Sequence, residues 1–154
     1  MSNDLPTDYH IAEHAPVWLD YWRPRLRLMD WDIVLRVFTL KEWLERGNDH
    51  SCAGLNHAHP ETGHCWINLL DPQDLPSGTP DDQRDIEHTI VHELLHLMLP
   101  LNSEVKGDPV GERRINRVAQ ALIRERRERQ EIARELHALR DKDAAQTETT
   151  FEAT

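Results

Sequence analysis

Cysteine is scarce in this sequence, with two among 154 residues, and two cysteines do not staple a small secreted domain. Long apolar runs are missing as well: no stretch approaches the roughly 20 apolar residues needed to cross a bilayer. Met1 to Tyr9 is polar and acidic, without the apolar core of a signal peptide. Positive charge is in short supply, with a formal net charge of −10. Such a balance repels nucleic acid and anionic membranes. The one basic stretch, Arg124 to Arg129, is interrupted by Glu125 and Glu128, whereas phosphate-backbone binding needs a basic patch. These absences predict a cytoplasmic protein with no nucleic-acid partner and no membrane partner.

What is present is one domain's worth of chain with uneven composition. Hydrophobic residues make up 38% and charged residues 30%, so part of the length is expected to project into solvent. Four of the five tryptophans, Trp18, Trp22, Trp31 and Trp43, lie in the first third, where aromatic packing is expected. Residues 1–13 read as a flexible arm. Trp18, Trp22, Leu26 and Met29 fall at helical spacing and predict a helix from about Pro16 to Met29, kinked or split at Pro24. Trp31 to Phe38 has strand composition, with Ile33, Leu35 and Val37 on one face. Lys41 to Arg46 reads as a short helical turn stopped by Gly47-Asn48. Ser51 to Ala58 and His64 to Leu70 flank a Pro/Gly loop and read as a β-hairpin.

A loop follows from Asp71 to Pro80. Asp81-Asp82 then opens a helix expected to run to about Leu99 and stop at Pro100. Leu101 to Pro109 reads as a second loop. From Gly111 a long helix is predicted through about Arg140, amphipathic at first through Ile115, Val118, Leu122 and Ile123. Arg124 to Glu131 holds no apolar residue; Ile132, Leu136 and Leu139 resume the pattern. The division expected is a domain at 14–123, a charged helical extension at 124–140 open to self-association, and a disordered tail at 141–154.

The chemistry concentrates at His92-Glu93-Leu94-Leu95-His96. Four residues apart on a helix, the two imidazoles stand one above the other on one face and can bind the same tetrahedral zinc ion. Glu93 lies about 100° round the helix from His92 and about 60° from His96, beside the metal without ligating it. That position suits a general base acting on zinc-bound water. The flanks, Ile86 to Val91 and Leu94 to Leu99, are strongly apolar, and polar groups on a buried helix are costly unless satisfied. His88 extends the stripe, but with a rise of about 1.5 Å per residue it stands about 12 Å from His96 along the axis, too far to share the ion. It is expected to support a ligand or line the pocket upstream, or to be simply a satisfied histidine. The third ligand should come from another element. Glu112, at the start of the next helix, is the preferred candidate, with Glu104 and Asp108 as alternatives.

Glu112-Arg113-Arg114-Ile115-Asn116, paired with the helix motif, resembles the gluzincin HExxH metallopeptidases. More narrowly it resembles the small phage-associated metallopeptidases and the ImmA/IrrE type, where HExxH lies on one helix and a glutamate ligand follows on the next in a pattern close to E-x-x-A-N. Ile115 stands where that pattern has a small residue. The likeness covers roughly residues 31–123. It implies His92, His96 and Glu112 as zinc ligands and Glu93 as catalytic base. It also implies an α+β, minimal zincin-like fold: an N-terminal helix, a small three-stranded sheet, the active-site helix and a long C-terminal helix. In that family the last strand before the active-site helix borders the substrate cleft; here Trp66-Ile67-Asn68-Leu69 would be that strand, with an edge open to an extended peptide.

The expected activity is hydrolysis of a peptide bond in a cytoplasmic protein or peptide substrate. A non-enzymatic zinc-binding or regulatory module is the alternative, and a metal-dependent hydrolase of a non-peptide amide is a third reading. Tyr9 and Tyr21 are the only tyrosines and lie far upstream, leaving the oxyanion partner unassigned; His57, His59 and His64 are substitutes to consider. With Cys52 and Cys65, these histidines also form a crowd that could hold a second metal. The spacing lacks a C-x-x-C pair, and surface histidines are the leading reading.

Overall fold

The β-branched run after Trp31 forms strand β1 (Asp32–Phe38), and the two runs flanking the Pro/Gly loop form β2 (Gly54–His59) and β3 (His64–Leu70). These come from a computed structural model that describes residues 5–49, 51–99 and 109–151, with side chains through residue 144. The strands make one sheet in the order β1-β3-β2, with β1 parallel and β2 antiparallel to β3. Side chains alternate across a strand, and Cys65, Ile67 and Leu69 of β3 are all buried. Ile33, Leu35 and Val37 pair with these three, so they share a face as the alternation predicts. Val37 nevertheless stays exposed while Phe38 is buried, because Phe38 joins Trp43, Leu70 and Leu75 in a separate small core.

One expectation is corrected by this topology. β3 is the central strand, its backbone engaged on both sides by β1 and β2, so Trp66 to Leu69 offers no open edge. The edge strand packed next to the helix that carries His92 and His96 is β2.

The first helix, α1 (Ala15–Arg25), is shorter than its apolar spacing suggests. Pro16 suits the first turn, whereas Pro24 falls in the last one and ends the helix rather than kinking it. Arg27 then takes a left-handed φ of 55°, and Met29 is left exposed. Trp18, Leu19 and Trp22 are buried, and the Trp22 indole donates to the buried Glu87 carboxylate at 3.0 Å. The arm before α1 is tied down where it is described: the Ile86 N–H donates to Tyr9 O at 2.8 Å. Helix α2 (Leu40–Glu45) begins with a reciprocal Thr39–Glu42 capping box and is stopped by Gly47 at φ 79°.

The segment 81–99 is two helices, not one: α3 (Asp81–Arg84) and α4 (Ile86–Met98). Asp85 separates them in an extended conformation, because its side chain accepts the His88 N–H at 3.1 Å and so caps α4. Ile86, Ile90, Val91 and Leu94 are buried and form the apolar side of α4. The last helix, α5 (Pro109–Phe151), begins before Gly111 and continues past Arg140. Residues 141–151, expected to be disordered, are helical; no glycine or proline follows Gly111 to interrupt the backbone. The expected stop at Pro100 and the expected loop from Leu101 to Pro109 lie outside the described residues, except that Pro109 itself begins α5.

The protein is thus α+β, with an N-terminal helix, a three-stranded sheet and a long C-terminal helix. It divides into two units, Met1–Ala119 and Gln120–Thr154. Ile115 and Ala119 of the first are fully buried, whereas Val118 is exposed. In the second, Ile132, Leu136 and Leu139 are all more than half exposed. Among the described residues, no helix is long and apolar enough to cross a membrane.

Candidate metal centre

Helical spacing on α4 brings the His92 and His96 rings to 4.9 Å between centroids, with their Nε2 atoms 3.1 Å apart. The first turns of α5 carry Glu112 to the same point. Its Oε2 lies 3.1 Å from His92 Nε2, and its Oε1 lies 3.5 Å from His96 Nε2. The three donor atoms all fall within 4.8 Å of one another. Tetrahedral zinc with bonds of about 2.0–2.1 Å needs ligand atoms spaced by about 3.3 Å, so two imidazoles and a carboxylate at these separations fit the ion. Glu112 is therefore the partner that joins the histidines. Glu104 and Asp108 lie outside the described residues. His88 is not in the group; it lines the cleft one turn upstream, its ring 6.3 Å from that of His92.

Asn116, one turn beyond Glu112, accepts a hydrogen bond from His92 Nδ1–H at 2.8 Å. An amide oxygen only accepts, so the contact fixes the tautomer and turns the Nε2 lone pair toward Glu112 and His96. Burial, then the neighbouring His92, lowers the pKa of His96, which favours the neutral, ligating form.

Glu93 is 6% exposed and stands on the β2 side of α4. The Asn56 amide donates to its Oε2 at 3.3 Å and to its backbone carbonyl at 3.2 Å. Burial, reinforced by the charge of Glu112, pushes the Glu93 carboxyl up to about 8 against the opposing effect of Asn56. A carboxyl shifted in this way can exchange a proton near neutral pH, as acid–base catalysis requires. The close approach of β2 to α4 depends on Gly54: a Cβ there would lie 2.7 Å from Thr89 Cγ2 and 2.9 Å from Glu93 Oε1.

These groups line a cleft of about 600 Å³ bounded by β2, α3, α4 and α5. Sequence reasoning missed Gly54 and Asn56, and it quoted Asn116 without a role. Helical spacing from Glu112 was the available signal for Asn116. For Gly54 and Asn56 the signal was their alternation on one strand, readable only once β2 is known to be the edge.

The histidines of the hairpin do not join this site. Gly54, Asn56 and Ala58 pair with the buried Leu69, Ile67 and Cys65, which puts His57, His59, His64 and Trp66 on the opposite face of the sheet. His59 pairs with Glu61 at 3.4 Å and His64 with Asp32 at 2.8 Å, and both rings contact Trp66. Cys65 is buried on the other face, where burial pushes its thiol up to about 11. Cys52 lines the cleft, and burial raises its pKa as well. The only group of potential ligands among the described residues is His92, His96 and Glu112. Neither tyrosine lines the cleft. Compared with known proteins, the chain matches no family model, no curated protein and no solved structure.

Proposed function

We propose that this protein is a zinc metallopeptidase, zincin-like in architecture, that hydrolyses a peptide bond in a cytoplasmic protein of the phage-related kind its motifs resemble. One observation carries the reading: a buried carboxylate, Glu93, stands beside a converged set of two imidazoles and a carboxylate in a single cleft. His92, His96 and Glu112 would hold the ion. Zinc held by these three would supply Lewis acidity toward the scissile carbonyl and the attacking water. Asn116 orients His92. Glu93, kept basic by burial and aimed by Asn56, takes a proton from the attacking water and returns it to the departing nitrogen. Edge strand β2 offers backbone groups to an extended substrate along the cleft.

A non-enzymatic zinc-binding module is the competing reading, favoured by the position of both tyrosines outside the cleft. Glu93→Gln separates the two. Its amide keeps the shape of the side chain but no longer accepts a proton as a base. The variant should retain one zinc per chain while cleavage of a proteome-derived peptide library falls by about 100-fold or more. Equal cleavage by variant and wild type removes Glu93 as the base. Zinc-loaded wild type that cleaves nothing in the library favours the binding module.

A further inference from the structure

The residues lining the cleft include three carboxylates, Asp82, Glu93 and Glu112, and, among the described residues, no lysine or arginine. Two neighbouring cations among the described residues are engaged elsewhere. The Arg84 guanidinium, two residues from Asp82, donates to the carbonyls of Leu75 and Pro76 at 3.2 and 2.5 Å. Arg113, beside Glu112, donates from Nε to Pro109 O at 3.0 Å. The carboxylates of Glu112 and Asp82 offset the two charges of a bound zinc ion, and no lysine or arginine of the described lining adds to them. The whole chain, at −10, adds to that field.

The polarity is also arranged along the cleft. Glu112 and Glu93 are occupied with the metal cluster and with Asn56. Thr89 and His88 follow on α4, one turn toward its N-terminus, and Asp82 and Gln83 close that end from α3. His88 is 7% exposed and Thr89 8%, so this wall carries polar groups held in place by packing. Asp82 is the half-buried carboxylate that the metal cluster does not use.

We propose that the cleft selects a peptide segment with a lysine or arginine next to the scissile bond, its cation taken by Asp82 and its stem lying along His88 and Thr89. The proposal rests on the metallopeptidase reading for the placement of the bond. Its charge selectivity is testable without turnover. The experiment uses full-length, zinc-loaded Glu93→Gln protein and fluorescent octapeptide pools with one central position fixed as Lys, Arg, Leu or Glu. The Lys and Arg pools should bind about tenfold more tightly than the Glu pool at low salt, a difference of about 1.4 kcal/mol. That preference should shrink as salt screens the cleft. In Asp82→Asn,Glu93→Gln protein the preference should fall by about fivefold with zinc content unchanged.

Equal binding of all pools, a preference for Leu or Glu, or a Lys and Arg preference that survives Asp82→Asn overturns the proposal. Failure to take up zinc strikes the metallopeptidase reading instead, and the same pools run without zinc still decide whether the cleft selects cations.

Discussion

Histidines gather twice in this chain, on α4 and on the β2–β3 hairpin, and the two gatherings do different things. On α4 the helical repeat stacks His92 over His96, and a carboxylate from a different helix arrives at their shared side. The groups on α4 itself have lost the freedom to face solvent: Asn116 fixes one ring, burial favours the neutral form of the other, and Glu93 is buried beside β2. On the hairpin the alternation of a strand throws His57, His59 and His64 onto an open face, where two of them settle on separate carboxylates and on Trp66. Number of ligands therefore says less than convergence. A metal site needs donors held at one point by elements that are themselves packed.

The contrast can be broken from either side. Asn116→Ala should have the larger effect. The residue is half-buried on α5, so the fold should survive, but His92 loses the acceptor that sets its tautomer. Zinc affinity should then fall by about 10- to 100-fold, measured by competition with a chromogenic chelator. Unchanged affinity would mean that the ring is oriented by packing alone. The smaller effect is expected from replacing His57, His59 and His64 together by alanine. Zinc stoichiometry should stay the same, and unfolding stability should change by no more than about 0.5 kcal/mol per site, as for ordinary surface positions. A loss of bound zinc in this variant would show that the hairpin supplies a ligand after all.

Much of this arrangement is legible in the sequence, for identifiable reasons. The spacing of His92, Glu93 and His96 is a statement about one helix, and local geometry decides it. The Thr39–Glu42 box and the Pro/Gly loop of the hairpin are likewise local signals. Glu112 was reachable because a short return between two helices limits where the next one can begin. What escaped depends on strand order. Reading β2 and β3 as a hairpin leaves open which of them β1 will join; β1 pairs with β3, so β2 becomes the edge and Gly54 and Asn56 face Glu93. The break at Asp85 was hidden by a composition that suits a continuous helix, and the helical tail by polar residues that suit either state.

The central claim is that His92, His96 and Glu112 converge on one metal ion, and zinc titration of the wild type beside Glu112→Ala tests it most directly. The account predicts one zinc per chain in the wild type. In Glu112→Ala, which lacks a direct ligand, affinity should fall by more than the roughly 100-fold that outlying partners control. A wild type that binds no zinc, or a Glu112→Ala variant that binds it as tightly, would contradict the account.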